Sequence, residues 1–275
     1  MLDPHEGLDA HGFITTGARR ERVPAAYDPL LAQACSELSP AFATVGDRVG
    51  DRTEDGHGPA PGLYLYGSVA TGQAIADASD VDLLTIGLHA DVVAPVARGL
   101  SARHAGLCRA VEIGAAQPVD FVGPGDAAYG NRVFLRHYCV PLIGPDPSEG
   151  IAPFRGDRVA ARGFNGDIGR CLDRWRLLAA DGGASSLGRR IARKTLVAVA
   201  GLVSVHDATW TTDRRTAAER WGMVRPDLAP ALAELAAWSE GTVAPTPGNV
   251  LACLQDDGVL PALVADFTER IGLWT

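Results

Sequence analysis

Residues 62–87, GLYLYGSVATGQAIADASDVDLLTIG, restrict the fold of this chain more than any other stretch. The apolar run Leu63-Tyr64-Leu65-Tyr66 reads as a strand and ends at Gly67-Ser68. Residues 69–79 then lead to Asp80-Val81-Asp82, which opens a second apolar run ending at Ile86. On a strand, residues i and i+2 share a face, so Asp80 and Asp82 project together while Val81 and Leu83 face a core. Two carboxylates side by side repel unless a cation stands between them, and an oxygen-seeking Mg²⁺ is the usual solution. Gly67 lets the chain turn tightly against a phosphate, and Ser68 offers it a hydroxyl and a backbone N–H. A bare Asp-x-Asp carries no weight, because 23 Asp in 275 residues give about two such pairs by chance. The weight lies in its setting, a Gly-Ser turn after one apolar strand and the carboxylates at the head of the next.

Around this segment the first half reads as mixed α/β. Helices are expected at 29–45, 90–105 and 127–138, strands near 110–113, 119–122 and 140–143, and a Gly/Asp/Pro-rich loop over 46–62. The second half reads as helical, with segments at 167–180, 187–206, 215–221, 228–240 and 249–267. The Gly/Pro-rich stretch 143–150 is the natural seam, giving domains 1–150, with an N-terminal extension over 1–60, and 151–275. Charge divides the same way: a net −8 overall splits into −9 before residue 151 and +1 after it. In the second half Arg189 and Arg193, and Arg190 and Lys194, are paired four residues apart on a helix, which makes a cationic strip. Lys194 is the single lysine among 24 arginines.

The 62–87 segment resembles the signature of the polymerase-β-like nucleotidyltransferase superfamily: a Gly-Gly or Gly-Ser turn, a spacer, then Asp-x-Asp or Asp-x-Glu among apolar residues. Within it the chain is most similar to aminoglycoside O-nucleotidyltransferases of the streptomycin/spectinomycin type. The likeness loosens towards residue 145, is weak in the second half, and finds no counterpart for the first 60 residues. It implies an α/β (α+β) nucleotidyltransferase core with a short mixed sheet, followed by a C-terminal helical bundle. The implied reaction moves an NMP, from ATP as the expected donor, to a hydroxyl and releases pyrophosphate. Asp80 and Asp82 would hold two Mg²⁺ ions, Gly67 and Ser68 the β- and γ-phosphates, and Ser79 would lie beside the metal. A third carboxylate on a neighbouring strand completes the set. Asp120 is favoured, because Val119 and Phe121 alternate with it after Pro118; Glu112 is the rival. Arg190 and Lys194 are expected on the triphosphate, and Arg214 stands where the family has a phosphate-binding lysine ahead of an Ala-Ala helix start. The acceptor would be a small, cationic molecule such as an aminoglycoside, taken by the acidic wall of an interdomain cleft.

Two rival readings share the fold: a protein-modifying nucleotidyltransferase, and a non-catalytic nucleotide-binding regulator. An acidic chain without a basic tail disfavours nucleic acid as partner. No apolar run is long enough for a bilayer span, and the five scattered cysteines disfavour disulfides or a zinc finger, so a cytoplasmic monomer or weak homo-oligomer is expected. Gly67-Ser-Val-Ala-Thr-Gly72 lacks the Lys-Ser/Thr of a P-loop, and Gly-x-Ser-x-Gly is absent. His5, Glu6, Asp9 and His11 have poor spacing for a metal and read as a frayed terminus.

Overall fold

The computed structural model describes residues 3–49, 58–180 and 184–275. The described chain is mixed α/β and divides into two compact units. One comprises residues 3–5 and 15–153, the other 6–14 and 154–275.

The first unit is built on a four-stranded mixed sheet in the order β3-β2-β1-β4. Its strands are β1 Gly62–Tyr66, β2 Val81–Ile86, β3 Val111–Ala116 and β4 Val140–Ile143. Strand β1 is antiparallel to β2 and β4, whereas β2 and β3 are parallel. A parallel pair needs a crossover, and helix α2, Ala90–Arg103, supplies it. The period-2 pattern then sorts the side chains. Leu63, Leu65, Val81 and Leu83 face a core shared with Leu30 and Leu38 of helix α1, Asp28–Val49, and with Val93 and Leu100 of α2. Each fully buried leucine contributes about 1.5–3 kcal/mol. Tyr64 and Ile86 face the opposite side, against Phe121 and against Leu135 of helix α3, Asp126–Tyr138. Tyr66, Asp82 and Glu112 share this second face by register.

The second unit is helical: α4 Arg158–Asn165, α5 Ile168–Leu178, α6 Ala184–His206, α7 Arg214–Val224, α8 Ala229–Glu240, α9 Pro247–Leu254 and α10 Val259–Arg270. Helix α6 packs against all of the others. It can do so because buried Ile191, Leu196, Val199 and Leu202 alternate with small Ala192, Ala198 and Ala200, so neighbours approach from every side. Trp175, Trp221 and Trp238 fill the space around it.

Three expectations fail, and one helix was not expected. Residues 119–122 are not a strand. Pro118 starts a single 3-10 turn, Pro118–Phe121, closed by the Asp120 carboxylate accepting from the Gln117 N–H at 2.7 Å. The expected helix 249–267 is two helices, because Pro261 has no N–H to bond residue 257; the Arg176 Nε caps the Leu254 carbonyl at 2.8 Å instead. Helix α4 was not anticipated, although Asp157 caps it by accepting from Val159 and Ala160 N–H. The expected loop 46–62 is helical as far as Val49; residues 50–57 of it lie outside the described residues.

The N-terminal segment is not frayed. Gly7–Leu8 and Ile14–Thr15 form a short ribbon, and the Ile14 N–H donates to the Phe154 carbonyl at 2.9 Å. The Arg155 guanidinium lies over the Phe13 ring at 5.2 Å. The Glu6 carboxylate accepts from the Thr212 N–H at 2.7 Å and its hydroxyl at 2.6 Å, and so holds the loop before α7. Among the described residues, no helix is long and apolar enough to cross a membrane.

Candidate functional site

The head of β2 gathers the chemistry of the first unit. Sheet register places Tyr66 of β1 and Glu112 of β3 on either side of Asp82. One phenol and two carboxylates therefore stand in a row across three strands, on one face. Tyr66 is fixed from the other side by Phe134, whose ring meets it edge-on at 5.1 Å. Burial, and next the Asp82 charge, push the Tyr66 phenol well up, with Glu112 adding to the effect.

Asp82 also explains the glycine before Ser68. Gly67 has φ +74, and a Cβ there would overlap the Asp82 Oδ2. Only a residue without a side chain leaves the carboxylate room beside the turn. The short helix Gly67–Ala70 follows at once, so the Ser68 hydroxyl is carried next to this turn; it makes no hydrogen bond among the described residues. Ser79 has a structural task. Its hydroxyl accepts from the Ile75 N–H at 2.9 Å and so closes the loop that leads into β2.

Asp80 does not stand free beside Asp82. Its two oxygens accept from Arg109, Oδ1 from Nε at 2.9 Å and Oδ2 from Nη2. The fork is possible because β2 and β3 run parallel from one residue further back: the Arg109 N–H donates to the Ser79 carbonyl at 3.0 Å, and the Val81 N–H to the Ala110 carbonyl at 2.9 Å. The bond to Asp80 raises the Arg109 guanidinium above its usual range; burial opposes this, and the charges of Asp80, Glu112 and Asp82 add to it. The cation that adjacent carboxylates require is thus present, and it is an arginine. Sequence reading passed Arg109 over because it lies outside the motif; its place immediately before a strand parallel to the Asp-x-Asp strand was the available signal.

Glu112, the rival third carboxylate, is the one in register with Asp82. It is solvent-exposed at the strand edge. Asp120 is bound to its own turn, and its strand setting is corrected with the loss of the 119–122 strand.

The donor set suits a hard divalent cation in kind, since ionised carboxylates at adjacent strand heads are what Mg²⁺ takes. Gly67 lets the backbone lie directly against the Asp82 carboxylate. As it stands the cluster is closed on Arg109, and among the described residues no group of three or more His, Cys, Asp or Glu side chains is disposed to hold a metal ion.

The cationic residues expected on phosphate all belong to the second unit. Lys194 is committed within it: its Nζ lies 2.6 Å from Asp167 Oδ1 and donates to Asn165 Oδ1 at 3.2 Å. Arg190 is exposed on α6. Arg214 is the first residue of α7, whose cap is Asp213, accepting from the Thr216 N–H at 2.8 Å. Arg214 is partly buried and makes no hydrogen bond or ion pair among the described residues. Burial, then the charge of Arg193, lowers its pKa, while Asp213 and Glu240 partly offset this. Among the described residues Arg193 has one long bond, 3.5 Å, to the Ser239 carbonyl, and Glu240 is forked onto Arg215 at 3.0 and 2.6 Å. Arg193 was read only as part of the strip.

No family model matches this sequence, and no curated protein matches it either.

Proposed function

We propose that the chain is a nucleotidyltransferase that moves a nucleoside monophosphate from an NTP, ATP being the expected one, to the hydroxyl of a small cationic acceptor. The observation that carries the reading is Asp82: in register with Glu112 on a parallel neighbour, and pressed against a left-handed glycine that opens a Ser-containing turn. The resemblance of residues 62–87 to the polymerase-β-like signature supports the same reading.

In this mechanism the acceptor oxygen attacks the α-phosphorus, a new P–O bond forms, and the bond to the β-phosphate oxygen breaks. Pyrophosphate leaves with the electron pair. Asp82, Glu112 and Asp80 would hold Mg²⁺, which when bound neutralises the triphosphate and lowers the pKa of the acceptor hydroxyl. Glu112, exposed at the strand edge, takes the acceptor proton. Gly67 admits the phosphates close to the chain, and the free Ser68 hydroxyl donates to one of them. The resemblance would also put Arg214 on the triphosphate. The carboxylate row and the acidic first half favour an acceptor that carries positive charge, such as an amino sugar.

The test is pyrophosphate release from each of the four NTPs against a panel of hydroxyl acceptors. Release stimulated by an aminoglycoside or aminocyclitol is the expected result. Release that no small acceptor stimulates, with NMP label appearing instead on a protein, would replace this reading by the protein-modifying one.

A further inference from the structure

Trp175 of α5 and Thr195 of α6 are each 1% exposed, yet the Trp175 indole N–H and the Thr195 hydroxyl have no hydrogen-bond partner among the described residues. Burial strips such groups of their bonds to bulk water, so folded proteins leave very few of them unmatched. A helical threonine commonly turns its hydroxyl back to the carbonyl four residues earlier, and Thr195 does not. Both side chains line one cavity inside the helical unit, walled by Ile168 of α5, Leu202 of α6, and Leu263 and Phe267 of α10. The cavity leaves about 10 Å³ for the centre of a water-sized molecule. That is about the least a single water requires and too little for an organic ligand. Among the described residues no charged side chain lines it, which argues against an ion.

We infer that this cavity is a binding site for one water molecule, which accepts from the Trp175 indole N–H and donates to the Thr195 hydroxyl oxygen. Water meets all three conditions: it is small enough, it is neutral, and it accepts from a donor while donating to an acceptor. The other side chains around it are apolar, so the bound water ties α5 to α6 and fixes the plane of the indole. Trp175 is then a core residue oriented by an internal solvent molecule. This site is independent of the carboxylate row and of the proposed reaction.

Two measurements on the full chain test the bridge. A crystal structure at a resolution that shows ordered solvent should place one water within hydrogen-bond distance of both Trp175 Nε1 and Thr195 Oγ1. In solution, NMR on protein labelled with ¹⁵N-tryptophan should give the Trp175 indole proton, assigned by its loss in Trp175→Phe, a cross-peak to water with the sign of a long-held molecule. Thr195→Val keeps the shape of the side chain and removes the hydroxyl, so both the density and the cross-peak should be lost. Thr195→Ser keeps the hydroxyl, and both should remain. Absence of either signal from the wild type overturns the inference, as does a Thr195 hydroxyl found bonded to the Ile191 carbonyl with no water beside it. Persistence of the water unchanged in Thr195→Val also overturns it, because the hydroxyl is then no partner. Should the Val variant fail to fold, the two wild-type measurements decide alone.

Discussion

The two units handle concentrated charge in opposite ways. In the first, carboxylates from adjacent strands are brought into one row by sheet register, and Arg109, just before a neighbouring strand, pairs with Asp80 beside them. In the second, the lone lysine is absorbed into an internal pair with Asp167, while Arg193 and Arg214 are left crowding one another. Net charge, −9 in one half and +1 in the other, describes neither arrangement. Like charges held together by a fold repel unless an opposite charge stands beside them: Arg109 does so for Asp80 in the first unit, and Asp213 and Glu240 partly do so for Arg214 in the second.

The comparison breaks most decisively at Asp82. Asp82→Asn should leave the circular dichroism spectrum unchanged and lower turnover by at least about 10³, because a charged ligand is lost from the transition state. Near-wild-type turnover would remove the carboxylate row from the chemistry. Next comes the choice of third carboxylate. Glu112→Gln should cost about 10²–10⁴ in turnover, the usual worth of a general base, while Asp120→Asn should change it less than about threefold, since the Asp120 carboxylate only closes its own turn. The reverse order would reinstate Asp120. The smallest effect sharpens the second unit. Arg214→Ala should weaken NTP binding in calorimetry by about 1.5–3 kcal/mol, the value of a charge-assisted hydrogen bond. Lys194→Ala should leave that affinity nearly untouched and lower stability to urea by about 1–2 kcal/mol, the loss of a partly buried ion pair.

Much of this was legible in the sequence, and what was not has definable causes. The Leu63–Tyr66 and Val81–Ile86 strands could be read because short apolar runs bounded by a Gly-Ser turn and by Asp80 fit strands buried on both faces. The short sequence Pro118–Phe121 alternates cleanly, yet Val119 is 71% exposed, and a proline followed by a side-chain cap outweighs alternation in so short a run. Asp80 and Asp82 were visible as a pair. Glu112 and Arg109 were not separable from bystanders, because their importance comes from the register between β2 and β3, and register is a relation between distant segments that periodicity within one segment does not encode. Lys194 looked special by rarity. Its partner Asp167 lies one helix earlier, and no local pattern joins the two.

The N-terminal ribbon has a consequence for how the molecule is made. Residues 6–14 are part of the helical unit, so residues 15–153 are an insertion between its two pieces, entered and left beside the Ile14–Phe154 hydrogen bond. Glu6 must find Thr211 across 205 positions of chain. Closing so long a loop from an open chain is entropically dearer than closing a short one, by about 0.6 kcal/mol for each doubling. Once the inserted unit has folded, its ends already lie together, and the effective loop shrinks to the helical segments alone. The Ile14–Phe154 hydrogen bond cannot form until residue 154 has been made, and folding of the inserted unit shortens the loop that this bond closes.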